Sequence, residues 1–119
     1  MRETKRANKD GKLILYPEGK PGEPHFVITA WNPGGLKQST YDNAMNHKKL
    51  SSLLLNAQAV TGAAEIFDSE KSWRMTAFYV MAIREDKLHE IARSISQNVI
   101  YYVDEDGQKT ALSVKMNAS

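Results

Sequence analysis

Asn32-Pro33-Gly34-Gly35 interrupts the chain just after an apolar run ending in Trp31 and just before a helix-like pattern. Proline fixes φ and lacks an N–H, and glycine reaches positive φ at little steric cost, so no strand or helix passes through these positions unbroken. The chain must turn here. Ahead of the turn, Phe26-Val27-Ile28-Thr29-Ala30-Trp31 is apolar at nearly every position and rich in branched side chains, which predicts a strand covered on both faces. Behind it, Ser39 with Asp42 three residues later is a helix-start pattern, since the hydroxyl can accept from a free amide and the carboxylate complements the helix dipole. Leu50, Leu53, Leu54 and Ala57 then form an apolar stripe at helical spacing, with Asn43 and Asn46 on its N-terminal extension.

Side-chain amides that face a core must find hydrogen-bond partners or cost about 1–3 kcal/mol. For Asn43 and Asn46 there are two sources of partners: the backbone of the preceding Trp31-Asn32-Pro33 turn, or a ligand held where helix-start amides are free. Trp31, at the exit of the first core strand, is expected near Trp73, at the entrance of its antiparallel neighbour. With Asn32, Asn43, Asn46 and Gln97 they give apolar walls bearing a few amides, which describes either a small-ligand pocket or a packed corner.

The remaining pattern supplies the frame. Lys12 to Tyr16 reads as a short strand and Pro17 to Pro24 as a loop. Val60 to Phe67 is strand-like but carries Gly62, Ala63 and Ala64, which predicts an edge strand. Thr76 to Ile83 is apolar almost throughout and predicts a central strand, Tyr79, Met81 and Ile83 pointing opposite to Phe78, Val80 and Ala82. Leu88, Ile91, Ala92 and Ile95 mark a second amphipathic helix opened by Glu85 and Asp86. Val99 to Val103, a turn at Asp104 to Gly107, and an alternating Lys109 to Val114 close the chain as a hairpin. The fold class expected is α+β: an antiparallel sheet with two helices on one face, built on a ferredoxin-like βαββαβ core with an added N-terminal strand and a C-terminal hairpin strand. Its other sheet face needs a cover, for which homodimerisation is one solution.

Composition narrows the chemistry. A chain of 119 residues fits one domain, taken as 12–115, behind a basic, flexible tail over 1–11. That tail and Lys12 carry Arg2, Lys5, Arg6, Lys9 and Lys12 against Glu3 and Asp10, or +3 of a total of +2, so the body is near neutral and a nucleic-acid-binding face is not expected. There is no cysteine, which removes disulfides and thiolate chemistry. No long apolar run suggests a membrane span or a signal peptide, so a cytoplasmic protein is the expectation. His25, His47 and His89 are not at ligand spacing, so no metal and no cofactor is predicted. His47 and Ser51 lie one helical turn apart but lack an orienting acid, and Asp104, Glu105 and Asp106 read as a turn rather than a calcium loop.

Ile28-Thr29-Ala30-Trp31-Asn32-Pro33, the spaced Asn43 and Asn46, Leu50, Trp73 ahead of a Phe78-containing strand, and an Ile91-Ala92 helix ending at Gln97 together resemble a small bacterial domain family of unknown function. The resemblance covers roughly residues 25–114 and implies a compact cytoplasmic domain, bacterial or phage-borne, with a polar cluster. Family members often place an acidic residue two positions after the tryptophan matched by Trp73, and a serine two further on. Here these are Met75 and Ala77, which removes part of any inherited polar site.

Three functions follow as expectations. The first is a non-catalytic binding domain, taking a small polar ligand at Trp31, Asn32, Asn43, Asn46, Trp73 and Gln97, or a protein on the helix side that carries Tyr41, Met45 and Leu55 off the leucine stripe. The second is a phage or mobile-element accessory protein that inhibits a host factor. The third is a hydrolase or transferase with an amide-lined pocket, for which the sequence offers no nucleophile, metal set or paired carboxylates.

Overall fold

The computed structural model describes residues 11–114; the basic N-terminal run lies outside them. In chain order the elements are β1 (Lys12–Leu15), β2 (His25–Thr29), a 3-10 turn (Pro33–Gly35), α1 (Thr40–Asn56), β3 (Val60–Asp68), β4 (Trp73–Met81), α2 (Glu85–Ser94), β5 (Val99–Val103) and β6 (Lys109–Ser113). All strands join one antiparallel sheet in the order β1-β3-β4-β2-β5-β6. The class is mixed α+β, with two helices and a curled six-stranded sheet. No described helix is long and apolar enough to cross a membrane.

Both helices contribute to the core on one face of the sheet. α1 starts where the capping pattern places it, the Ser39 hydroxyl accepting from the Asp42 N–H at 3.0 Å. Leu50 and Leu54 of α1 and Leu88, Ile91 and Ala92 of α2 are buried in a cluster with Ile28 of β2, Val80 of β4 and Ile100 of β5. Full burial of each large aliphatic side chain stabilises the fold by about 1.5–3 kcal/mol, so this layer is the main source of stability.

The second face does not wait for a partner. Its residues form their own core of Val27, Ala64, Ile66, Met75, Ala77, Tyr101 and Val103, with Ile14, Tyr16, Trp31 and Tyr79 packed against it. Ala64 and Ala77 are paired across β3 and β4 at the middle of this face, and small side chains there let the twisted sheet bend inward until its flanks meet. Gly62 serves the same end, because a Cβ there would fall 2.2 Å from Tyr79 Cζ, so the phenol ring lies directly over the glycine backbone. The curl brings Lys12 of β1 into the same cleft as Val99 and Tyr101 of β5. Tyr79 is thereby half-buried within the single chain.

Two expectations are corrected. β3 is interior in its second half, where Glu65 to Asp68 pair with β1 on one side and β4 on the other; Val60 to Ala64, which include the small residues, pair with β4 alone and keep the edge position expected of them. Ile83 lies on the helix-covered face with Phe78, not opposite to it. β4 has ended at Met81, and Ala82 has a φ of 61°, which breaks the strand alternation before Ile83 is reached.

Candidate functional site

The turn after β2 is held from two directions. Asn32 sits at φ 49° and ψ 62°, a left-handed conformation that asparagine tolerates better than most residues. Its N–H donates to Asn43 Oδ1 at 2.8 Å, while Asn43 Nδ2 donates to Asn32 Oδ1 at 3.0 Å and to the Gln38 carbonyl at 3.4 Å. Asn32 Oδ1 also accepts from the Gln38 N–H at 2.9 Å. This clasp fixes the turn to the first turn of α1. From the other side, the Gly34 N–H donates to the Ser96 carbonyl at 2.8 Å and Gln97 Nε2 donates to the Trp31 carbonyl at 2.9 Å. The segment after α2 thus holds the tryptophan's backbone.

Beyond Thr29 the curled face opens into a cleft of about 210 Å³. Ile66, Met75 and Tyr101 supply apolar wall, Trp31 and Trp73 stand at its margins, and Thr29, Asn32, Asp68 and Gln97 supply polar groups. Trp73 reaches this place because it is paired with Asp68 across the β3–β4 hairpin, in alternation with Met75 paired to Ile66. Trp31, Asn32, Lys71 and Trp73 also border a second lobe of about 270 Å³ on the α1 side, completed by Lys37, Gln38, Thr40, Ser72 and Asn43. Lys71 Nζ lies 5.1 Å and Lys37 Nζ 5.8 Å from the centre of the Trp73 ring, both in the range of cation–π attraction.

Most polar groups of the cleft are already engaged. The Thr29 hydroxyl donates to the Thr76 carbonyl at 2.6 Å and accepts from the Trp31 N–H at 3.1 Å. Asp68 Oδ1 accepts from the N–H groups of Glu70 and Lys71 at 3.0 and 3.2 Å, and Oδ2 lies 3.7 Å from Lys12 Nζ. The indole N–H of Trp31, by contrast, is buried and has no acceptor.

Of the residues singled out in the sequence, Trp31, Asn32, Trp73 and Gln97 stand around the cleft, and Asn43 borders the lobe while its amide is bound into the clasp. Asn46 is half-buried, lines neither space, and its side chain makes no hydrogen bond with the described residues. Tyr41, Met45 and Leu55 are exposed at 71%, 46% and 75%, on one side of α1 away from the cleft. Lys37, Lys71 and Tyr101 escape sequence reasoning, and Met75 enters it only as a departure from a family pattern. Reading β4 from Trp73 instead of Thr76 would have put Trp73, Met75 and Ala77 on one face.

The histidines are scattered. His25 Nε2 meets the Tyr16 hydroxyl at 2.7 Å and its Nδ1 meets the Glu23 carbonyl at 2.8 Å, so Nδ1 carries the proton and the phenol donates to Nε2. Burial pushes His25 below its ordinary value and the Tyr16 phenol up to about 12. His47 is drawn onto Phe78, ring centres 4.3 Å apart and planes 6° from parallel, with Nδ1 buried and unpaired; burial lowers its pKa also. His89 pairs with Glu85 at 3.1 Å. No group of three or more histidine, aspartate or glutamate side chains placed to hold a metal occurs among the described residues.

The geometry defines a small α+β domain with an aromatic-walled cleft beside a saturated amide clasp. The chain belongs to the family described as protein of unknown function (DUF3293), whose pattern matches residues 28–100, from β2 into β5. No curated protein and no solved structure matches it.

Proposed function

We propose that this is a non-catalytic binding domain that takes a small polar ligand in the cleft between Trp31 and Trp73. The observation that carries the reading is the buried Trp31 indole N–H without an acceptor, in the margin of a cleft where Thr29 and Asp68 are already engaged. A buried donor left unpaired costs about 1–3 kcal/mol, and a ligand acceptor reached by a small shift of the indole would recover it. Apolar and aromatic walls with a few fixed polar groups are the usual make-up of small-molecule sites. The aliphatic hydroxyl in the wall, that of Thr29, is spent on backbone groups, which speaks for binding over hydrolysis. The strand order β3-β4-β2-β5, with helices after β2 and β4, supports the ferredoxin-like assignment of the family-matched segment, β1 and β6 being additions at either edge.

Native mass spectrometry of the gently purified chain tests the reading. The expected result is a small extra mass on the 13.4 kDa chain that disappears in Trp31→Phe and Trp73→Ala proteins. A bare chain throughout, with a folded spectrum, would count against it. A second reading, a protein-binding surface on α1, draws on the exposed Tyr41, Met45 and Leu55. It requires a protein that co-purifies with wild type and is lost from Tyr41→Ala/Met45→Ala.

A further inference from the structure

We infer that the ligand is an amphiphilic organic anion, with an apolar or aromatic body in the cleft and a carboxylate or phosphate group in the adjoining lobe between Lys37 and Lys71. This rests on the binding reading above and adds the ligand's chemistry to it.

The two spaces differ in what they offer. The cleft is walled by Ile66, Met75, Tyr101 and the margins of both indoles, which suits a body with little polarity. The lobe has no acidic residue in its wall and two lysines. Those two ammonium groups converge on one ring, at 5.1 and 5.8 Å from the centre of Trp73, and neither forms an ion pair with the described residues. Like charges gathered at one indole attract an anion placed among them and disfavour a cation. The carboxylate in the neighbouring cleft cannot serve, because Asp68 is held by two backbone amides and Lys12. Trp31, Asn32, Lys71 and Trp73 border both spaces, so one molecule can occupy them together. Each space alone is small, and joined they reach the roughly 300–1,000 Å³ of small-ligand sites.

The chain has only two tryptophans, and both are at this site. Their two indole N–H signals in a proton–nitrogen correlation spectrum therefore report occupancy directly. The full chain is titrated with phenylacetate and phenyl phosphate, with benzyl alcohol as the uncharged body, and with acetate and inorganic phosphate as the head groups alone. Phenylacetate or phenyl phosphate is expected to move both indole signals saturably, the tighter of the two fixing the head group. Benzyl alcohol should bind roughly tenfold more weakly, and Lys37→Gln with Lys71→Gln should weaken the anions by a similar roughly tenfold factor, as added salt should. Both lysines are exposed, so the double variant keeps the fold. If benzyl alcohol binds as tightly as the anions and the lysine variant changes nothing, the anion assignment falls and the binding reading stands. If acetate or inorganic phosphate alone binds as well as the complete molecules, the amphiphile is overturned. If no compound moves either signal, the proposed function falls with it.

Discussion

On the α1 side of the turn after β2, the Asn43 amide spends its oxygen on the Asn32 N–H and its nitrogen on Asn32 Oδ1 and the Gln38 carbonyl. On the β4 side, one residue before Asn32, the indole N–H of Trp31 is buried with nothing to accept it. Adjacent residues of one turn thus follow opposite rules, saturation on the clasp side and a gap on the cleft side. A saturated network fixes geometry and is costly to break, whereas an unpaired buried donor costs stability and is free to serve a ligand. The clasp supplies the rigidity that lets the cleft keep its shape while empty.

The largest effect is expected from breaking the clasp. Asn43 is 2% exposed, and Asn43→Ala would leave the Asn32 N–H and Oδ1 short of partners in a buried place. A loss of about 3 kcal/mol is expected, measured by urea denaturation. A change under about 0.5 kcal/mol would mean that water replaces the amide and that the clasp is not the structural side of the comparison.

Gly62→Ala comes next and tests whether the cleft depends on the curl. The new methyl would displace the Tyr79 ring, which packs at 6.4 Å from Tyr16 and 5.9 Å from His25, and a loss of about 2 kcal/mol is expected. The clasp lies on another element and should survive, so ligand shifts at the indoles should fall while α1 amides keep their hydrogen-exchange protection. Equal loss of both would merge the two regions into one unit.

How much of this contrast the sequence displayed follows from the range of each interaction. The turn, the Ser39 cap and the apolar stripes are local, and the element order, the antiparallel sheet and the two helices were legible from them. The amides of Asn43 and Asn46 stood out for the same reason, as polar groups on a leucine stripe. What was hidden depends on the curl of the sheet. Small residues in β3 read only as weakness at an edge, but Gly62 also makes room for the Tyr79 ring, and the second half of the strand is interior. Lys37 and Lys71 look like ordinary surface charges until the β3–β4 hairpin and the turn before α1 bring them over one indole.

Acid should weaken the fold by a smaller amount, through His25 and His47. Both are held below their ordinary value of 6.5 by burial, so below that pH the unfolded chain takes up protons that the folded chain refuses. Their contribution is complete above about pH 6.5 and is lost as pH falls through the folded values. The two sit on either side of the same divide as the turn: His25 has both ring nitrogens engaged, while His47 Nδ1 has no partner. A urea midpoint that stays level from about pH 7.5 to about pH 5 would contradict the assignment. Near neutral pH, Trp31→Phe should change stability by less than about 1 kcal/mol, because it trades some packing for removal of an unpaired donor. The same variant should weaken ligand binding enough to lose the co-purifying mass, the reverse of the pattern expected for Asn43→Ala.

Asn46→Ala carries the smallest expected effect and is the sharpest control. Asn46 and Asn43 share a residue type, a helix and a stripe, and the sequence gives no ground for ranking them. Position alone separates them. Asn43 is one turn from the cap and reaches the Asn32 backbone, whereas Asn46, nearly one turn further on, is half-buried beyond the reach of the turn, its side chain hydrogen-bonded to none of the described residues. Removing its amide leaves no buried group stranded, and alanine is the better helix former, so the change should lie within about 0.5 kcal/mol of wild type. A loss comparable to that of Asn43→Ala would show that the clasp extends a turn deeper into α1. In that case the saturated side would be the larger of the two regions, and the free space left for a ligand would be confined to the β4 side of Trp31.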